Sequence, residues 1–296
     1  MTTKPKVALI GAGQIGRSWA LLFARAGHPV AVQDIDPAQL DGAGNWLTEK
    51  GVTVTLTTDL GRALAGAAYV QENTPERLEI KQATFAALAP HLASDAILGS
   101  STSALEPDVL FADAPFRDRA LVVHPTNPPH VLPAVELARS QWTTDAALTE
   151  TRRLMQSIGQ DPLVLKRVLP GFVVNRLQAA LVNEAMALVA QGVADPDEID
   201  IAVRSALGLR WAFIGPFETM DLNSAGGFEL YAQTFGAMFN TLRNDLRARD
   251  PEAWSTDTPA RIGAARRAIL PLDSLPARQA WRDAQVLRLR ALKDTQ

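Results

Sequence analysis

The chain has 296 residues, with 29 Lys and Arg against 32 Asp and Glu for a formal net charge of −3, and 47% of its residues are hydrophobic. That composition can bury one large core or two ordinary ones, which excludes disordered and fibrous classes. The near-neutral balance leaves no basic footprint for nucleic acid, and the absence of Cys removes disulfides, thiolate metal sites and cysteine nucleophiles together.

In chain order, Met1-Thr-Thr-Lys-Pro-Lys leads into an apolar run without a signal-peptide core, and no later run approaches the roughly 20 residues that span a bilayer. A cytoplasmic, membrane-free protein is expected. Short apolar runs at 7–10, 30–33, 69–72, 96–99, 121–124 and 163–165 alternate with amphipathic stretches. The spacing predicts helices over 14–26, 76–89 and 144–158, the last capped at Thr143-Thr144. This is the pattern of βαβ units, so residues 1–169 are expected to form a Rossmann-type, doubly wound parallel sheet. After Pro170-Gly171 the apolar residues recur at three- and four-residue spacing, which predicts an all-helical second domain over 170–296. Pro251, Pro259, Pro271 and Pro276 set its later helix boundaries. Residues 243–296 carry eleven basic and seven acidic side chains, the make-up of a solvated or subunit-facing surface. Only four histidines are present, too few for a histidine metal cluster, and no metal is expected.

Gly11-Ala-Gly13-Gln14-Ile15-Gly16 follows the first strand and opens the first helix. In that position the glycines permit a tight turn, close approach of a pyrophosphate and close helix-strand packing, while the helix N-terminus favours anions. Asp34 ends the second strand eighteen residues after Gly16, near the spacing of a ribose-binding acid. Its carboxylate would repel a 2′-phosphate and no Arg follows in Ile35-Asp36-Pro37, so NAD is expected over NADP. Asp36 reads as a helix cap.

His124 closes a late strand and Glu136 opens a following strand-like segment that could fold back to meet it. A neutral imidazole can take a hydroxyl proton, and a carboxylate on its other nitrogen would fix the tautomer. The spacing leaves open a structural histidine beside an unrelated surface glutamate. Ser103, in Ser100-Ser-Thr-Ser103, and Asn175, in Gly171-Phe-Val-Val-Asn175, are polar candidates for the reacting oxygen, or an ordinary Ser-rich turn and a first-turn helix residue.

These residues resemble the 3-hydroxyacyl-CoA dehydrogenase family, and within it the lambda-crystallin and L-gulonate 3-dehydrogenase branch. The strings that carry the likeness are Gly13-Gln-Ile-Gly-Arg-Ser-Trp-Ala20, Gln71-Glu-Asn-Thr-Pro-Glu76, His124-Pro-Thr-Asn-Pro-Pro129 with Glu136, Pro170-Gly-Phe-Val-Val-Asn-Arg-Leu-Gln178, Gly208-Leu-Arg-Trp-Ala-Phe-Ile-Gly-Pro216 and Gln279-Ala-Trp-Arg-Asp283. The resemblance implies that His124 and Glu136 are the catalytic pair, with Ser103 and Asn175 bonding the reacting oxygen. It also implies that Glu76, Lys81, Ser101 and Asn127 lie along the cofactor and that a homodimer forms through the helical domain. Only 38 positions separate Asp34 from Glu72, where the acyl-CoA enzymes carry a longer helical arm that helps hold CoA. Arg210 matches the gulonate-type branch and could grip a carboxylate bidentately, or else be a surface or interdomain arginine. The expected activity is therefore NAD-dependent oxidation of the 3-hydroxyl of a free hydroxy acid or sugar acid. The alternatives are a short-chain 3-hydroxyacyl-CoA dehydrogenase, a carnitine-type dehydrogenase and a non-catalytic NAD-binding protein. Trp211 could wall a quaternary ammonium pocket but reads rather as a core tryptophan.

Overall fold

Alternation within the first strand gives the sheet its two apolar faces. In β1 (Lys6–Ile10) Val7 and Leu9 enter one core cluster and Ala8 and Ile10 another, because successive side chains of a strand point to opposite sides. The computed structural model describes residues 4–248 and 253–293. After β1 come α1 (Gln14–Arg25), β2 (Val30–Gln33), α2 (Pro37–Glu49), β3 (Thr55–Thr57), α3 (Leu60–Leu64) and β4 (Ala67–Glu72). They are followed by α4 (Leu78–Leu88), β5 (Ile97–Ser100), α5 (Pro107–Leu110), β6 (Ala120–Pro125), β7 (Ala134–Arg139), α6 (Asp145–Ser157) and β8 (Asp161–Val164).

The eight strands lie in the order β3-β2-β1-β4-β5-β6-β7-β8. All neighbours are parallel except β6 and β7. The loop between those two is too short for a crossover helix, so β7 must return antiparallel. Trp19 and Phe23 of α1, Leu47 of α2 and Met155 of α6 cover one face, and Leu64 of α3 with Phe85 and Leu88 of α4 cover the other. This is the doubly wound arrangement that the apolar runs predict. Thr144 caps α6 by accepting from Ala147 N, and Asp36 caps α2 by accepting from Ala38 N at 2.9 Å. The segment between Asp34 and Ala67 also holds β3, a short edge strand whose Thr-rich sequence carries no apolar run.

The chain divides into two compact units, Met1–Arg176 and Leu177–Gln296, and the division falls within α7 (Val174–Ala190). The second unit continues with α8 (Pro196–Ala202), α9 (Gly208–Trp211), α10 (Pro216–Leu222), α11 (Gly227–Ala248), α12 (Thr258–Ile269) and α13 (Leu275–Lys293), and no strand occurs among its described residues. Pro259 lies in the first turn of α12, Pro271 precedes the 3₁₀ turn that leads into α13, and Pro276 lies in the first turn of α13. Pro251 is outside the described residues. Trp211 is 41% exposed and so is not a core residue of its unit; it ends a continuous helical run in which a π-helical segment, Val203–Leu207, joins α8 to α9. No helix among the described residues is long and apolar enough to cross a membrane.

Candidate active site

β1 pairs with β2 on one side and β4 on the other, so the crevice at their carboxyl ends is the topological switch point where open α/β sheets bind ligands. The glycine-rich turn sits there. Gly11 has φ of +94°, and a Cβ on it would lie 2.8 Å from the Asn73 carbonyl oxygen. A Cβ on Gly16 would overlap the Gly11 carbonyl oxygen, so both positions are closed to side chains by the protein itself. A Cβ on Gly13 would meet nothing within 4 Å, which leaves open space above the turn. Gln14 and Ile15 form the first turn of α1 behind it. One Asp34 oxygen accepts from Ala12 N at 2.7 Å and the other from Asp36 N at 3.0 Å, which aims the carboxylate beside the same turn.

Under the turn runs a polar seam. Ser101 Oγ accepts from Trp19 Nε1 at 3.2 Å and Gln71 Nε2 at 2.7 Å, and donates to Asn73 Oδ1 at 2.7 Å. One donor and two lone pairs are all that a hydroxyl has, so Ser101 is saturated by protein groups. Gln71, fully buried, also donates to Val123 O at 3.2 Å and accepts from the Tyr69 hydroxyl. Burial raises the Tyr69 phenol well above its ordinary value, so it remains a neutral donor. Gly99, within β5, makes room for this pair: a Cβ there would lie 2.5 Å from Gln71 Oε1.

His124 and Glu136 stand directly opposite each other in the antiparallel β6–β7 ladder, which is why twelve residues of chain return one to the other. Their Nδ1 and Oε2 atoms are 2.7 Å apart, with His124 7% and Glu136 1% exposed. The second Glu136 oxygen accepts from the backbone amides of Val173 at 2.7 Å and Val174 at 3.0 Å, at the start of α7. Burial alone would raise the Glu136 carboxyl, but the His124 contact and the two amides outweigh it and hold the carboxyl below its ordinary value. Those amides are turned inward by Gly171 and Phe172, both with positive φ, +78° and +51°. A positive φ is strained for Phe, and its buried ring packs on His124 with centroids 5.5 Å apart. Sequence reasoning does not single out Phe172, and the glycine before it is the one local signal of an unusual turn.

Asn175 Nδ2 lies 3.4 Å from the Ser103 carbonyl oxygen, which brings these two predicted residues together in the first unit. The Ser103 backbone is held by Glu76, whose Oε1 accepts from Ser103 N at 2.8 Å, Ala104 N at 3.1 Å and Thr102 Oγ1 at 2.5 Å. Lys81 is buried, with Nζ 2.9 and 3.0 Å from the two oxygens of Glu72 and 3.1 Å from Thr74 O. Asn127 is exposed in the loop between β6 and β7. Arg210 belongs to the second unit, exposed on α9, and its guanidinium has no hydrogen bond or ion pair among the described residues.

The 3-hydroxyacyl-CoA dehydrogenase NAD binding domain matches residues 6–52 and 47–168, and the C-terminal domain of the same enzymes matches 171–255. The chain belongs to the 3-hydroxyacyl-CoA dehydrogenase family. A lambda-crystallin homolog of Bos taurus is 40% identical over 97% of this chain and 95% of its own length. An L-carnitine dehydrogenase of Bacillus cereus is 35% identical over 75% of this chain and 72% of its own. The crystal structure of a 5-formyl-3-hydroxy-2-methylpyridine 4-carboxylic acid 5-dehydrogenase, an NAD⁺-dependent dismutase, superimposes with a TM-score of 0.84 at 29% identity, covering 98% of both chains. As a 3-hydroxyacyl-CoA dehydrogenase family member, this protein is an NAD-dependent oxidoreductase acting on a hydroxyl group. Its residues fit the cofactor: the space above Gly13 admits a pyrophosphate, the first turn of α1 presents amides to it, and Asp34 stands where ribose hydroxyls would be met.

Proposed function

We propose that the enzyme oxidises the 3-hydroxyl of a free hydroxy acid or sugar acid, L-gulonate-like, with His124 as the base. The observation that carries this reading is the His124–Glu136 geometry. An ionised Glu136 accepts a hydrogen bond from Nδ1–H and so keeps the proton on Nδ1, which leaves Nε2, with no hydrogen-bond partner among the described residues, a lone pair for the substrate proton. Glu136 then stabilises the imidazolium, and its two backbone amides keep it from rotating away as the charge on His124 changes. Ser103 and Asn175 serve as donors that orient the reacting oxygen. The chemistry supplied by bound NAD is acceptance of a hydride from the carbinol carbon. The open turn at Gly13 and the first-turn amides of α1 would hold its pyrophosphate and Asp34 its ribose, with Gly11 and Gly16 setting the turn. Because the Asp34 carboxylate repels a 2′-phosphate, NAD is expected to bind at least about tenfold more tightly than NADP, and equal affinities by titration calorimetry would remove Asp34 from that role.

Three observations favour a free acid over a CoA thioester. The span from Asp34 to the start of β4 holds only α2, β3 and α3, and the family match there comes in two pieces that meet at 47–52, within and just after α2. The Arg210 guanidinium is uncommitted among the described residues. The structural neighbour acts on a substrate with a free carboxylic acid. A carnitine-type substrate is favoured by one feature, the exposed Trp211 next to Arg210, whose indole face suits a quaternary ammonium. The reading includes a homodimer through the helical unit, supported by the apolar side chains that α11 exposes, among them Phe235, Met238, Phe239 and Leu242.

NADH formation across a panel of L-gulonate, 3-hydroxybutyrate, L-carnitine and 3-hydroxybutyryl-CoA tests the assignment, and activity on the thioester alone would sink the free-acid reading. Arg210→Met should raise KM for the preferred acid by about tenfold or more while sparing its methyl ester and NAD affinity. Equal losses on acid and ester would instead give Arg210 a packing role.

A further inference from the structure

We propose that Glu72, to which neither the glycine motif nor the family likeness gives a role, is a positioning residue that acts through Lys81 and Glu76 on the loop carrying Ser103. The inference rests on Ser103 having the role given above. Glu72 ends β4 and is fully buried. Its Oε1 accepts from Thr74 N at 2.5 Å, Thr74 Oγ1 at 2.6 Å and Lys81 Nζ at 2.9 Å. Its Oε2 accepts from the same ammonium at 3.0 Å and from Ser100 Oγ at 2.5 Å. Lys81 is shared by two carboxylates, because Glu76 Oε2 is also 3.6 Å from Nζ. The other Glu76 oxygen gathers Thr102 Oγ1, Ser103 N and Ala104 N. The contacts are thus continuous from the end of β4, through a shared cation, to the backbone of Ser103.

Stability alone is a poor reason for this arrangement. A buried ion pair gains little over apolar side chains of the same volume, since desolvation of both charges offsets their attraction. What the cation supplies is a geometry in which two carboxylates approach each other and Glu76 still accepts three donors from the loop. Glu72 also grips both ends of that loop's approach, Thr74 after β4 and Ser100 at the end of β5, so it sets the spacing of the two chain segments between which Ser103 is presented.

The test is the charge-neutral pair Glu72→Gln/Lys81→Met, which keeps side-chain size and leaves no orphaned buried charge. The expected result is a folded protein whose kcat falls about tenfold or more, with NAD affinity within about threefold of wild type and amide exchange in 101–105 about tenfold faster. Full kcat or unchanged exchange in that variant overturns the proposal. So does a tenfold or greater loss of NAD affinity with the loop's exchange unaltered, an outcome that assigns Lys81 to the cofactor. Should the double variant not fold, Thr102→Val decides: it removes one of the three donors that Glu76 gathers and leaves the ion pair intact, and it must lower kcat and speed exchange in 101–105 without weakening NAD binding. If wild type oxidises no hydroxy acid, the proposed substrate class fails, and the exchange measurement still settles whether the relay orders the loop.

Discussion

A His124→Gln variant should turn over about 10²- to 10⁴-fold more slowly than wild type while binding NAD normally. Gln spans a similar distance and can still meet Glu136, so the sheet should tolerate it, but an amide has no lone pair basic enough to take a hydroxyl proton. The residues proposed to hold the pyrophosphate and ribose lie elsewhere, on the turn after β1 and just past β2, and the hydrogen bonds that aim Asp34 run from Ala12 and Asp36 rather than from His124. Steady-state turnover read beside calorimetric NAD affinity separates the two effects. Near-normal turnover would take His124 out of the chemistry.

Glu136→Gln is expected to be almost as damaging, for a different reason. The Gln carbonyl can accept from the Val173 and Val174 amides, which then turns its NH₂ group toward His124 Nδ1. Nδ1 must become an acceptor, the proton moves to Nε2, and the ring presents a donor where a base is needed. A loss of about 10²- to 10⁴-fold in turnover with a native fold is the expected outcome. The pH dependence of stability supplies a second check. Glu136 titrates lower in the folded protein than in the unfolded chain, so its contribution is complete above the ordinary carboxyl value of 4.5 and is lost as pH falls through the lower folded value. The stability advantage of wild type over the Gln variant should therefore shrink below that pH and not above it. A constant difference across the acid range would mean that the carboxylate's charge is not what the site holds.

Much of this fold is legible in the sequence, because it depends on local periodicity. The apolar runs 7–10 and 30–33 and the cap at Thr144 lie where β1, β2 and α6 are found. The glycine turn is readable from its spacing after a strand: Gly11 and Gly16 answer steric demands of the protein itself, and Gly13 leaves the space above the turn open. The His124–Glu136 contact is suggested by the spacing but not fixed by it, since it depends on a hairpin register that no single strand encodes. Glu72, Gln71 and Phe172 escape notice for the same reason. Their partners lie as far as 52 residues away in the sequence, and a Glu at the end of an apolar run looks like an ordinary strand terminus. Trp211 resembles a core residue in the sequence because an aromatic at helical spacing carries no mark of whether its face of the helix is covered.

The seam beneath the glycine turn also constrains how this sequence can drift. Gly99 is closed to any side chain by the Tyr69 hydroxyl and the Gln71 amide, while Gln71 answers at once to Tyr69, Ser101 and Val123. Tyr69, Gln71, Gly99 and Ser101 cannot change singly without stranding a polar group or forcing two atoms into one space. Substitutions here must therefore arrive in groups. A relative with Ala at the position of Gly99 should carry a residue without a hydroxyl at 69 and a shorter or apolar one at 71. Position 101, freed of its Gln71 partner, should then be the next of the set to vary.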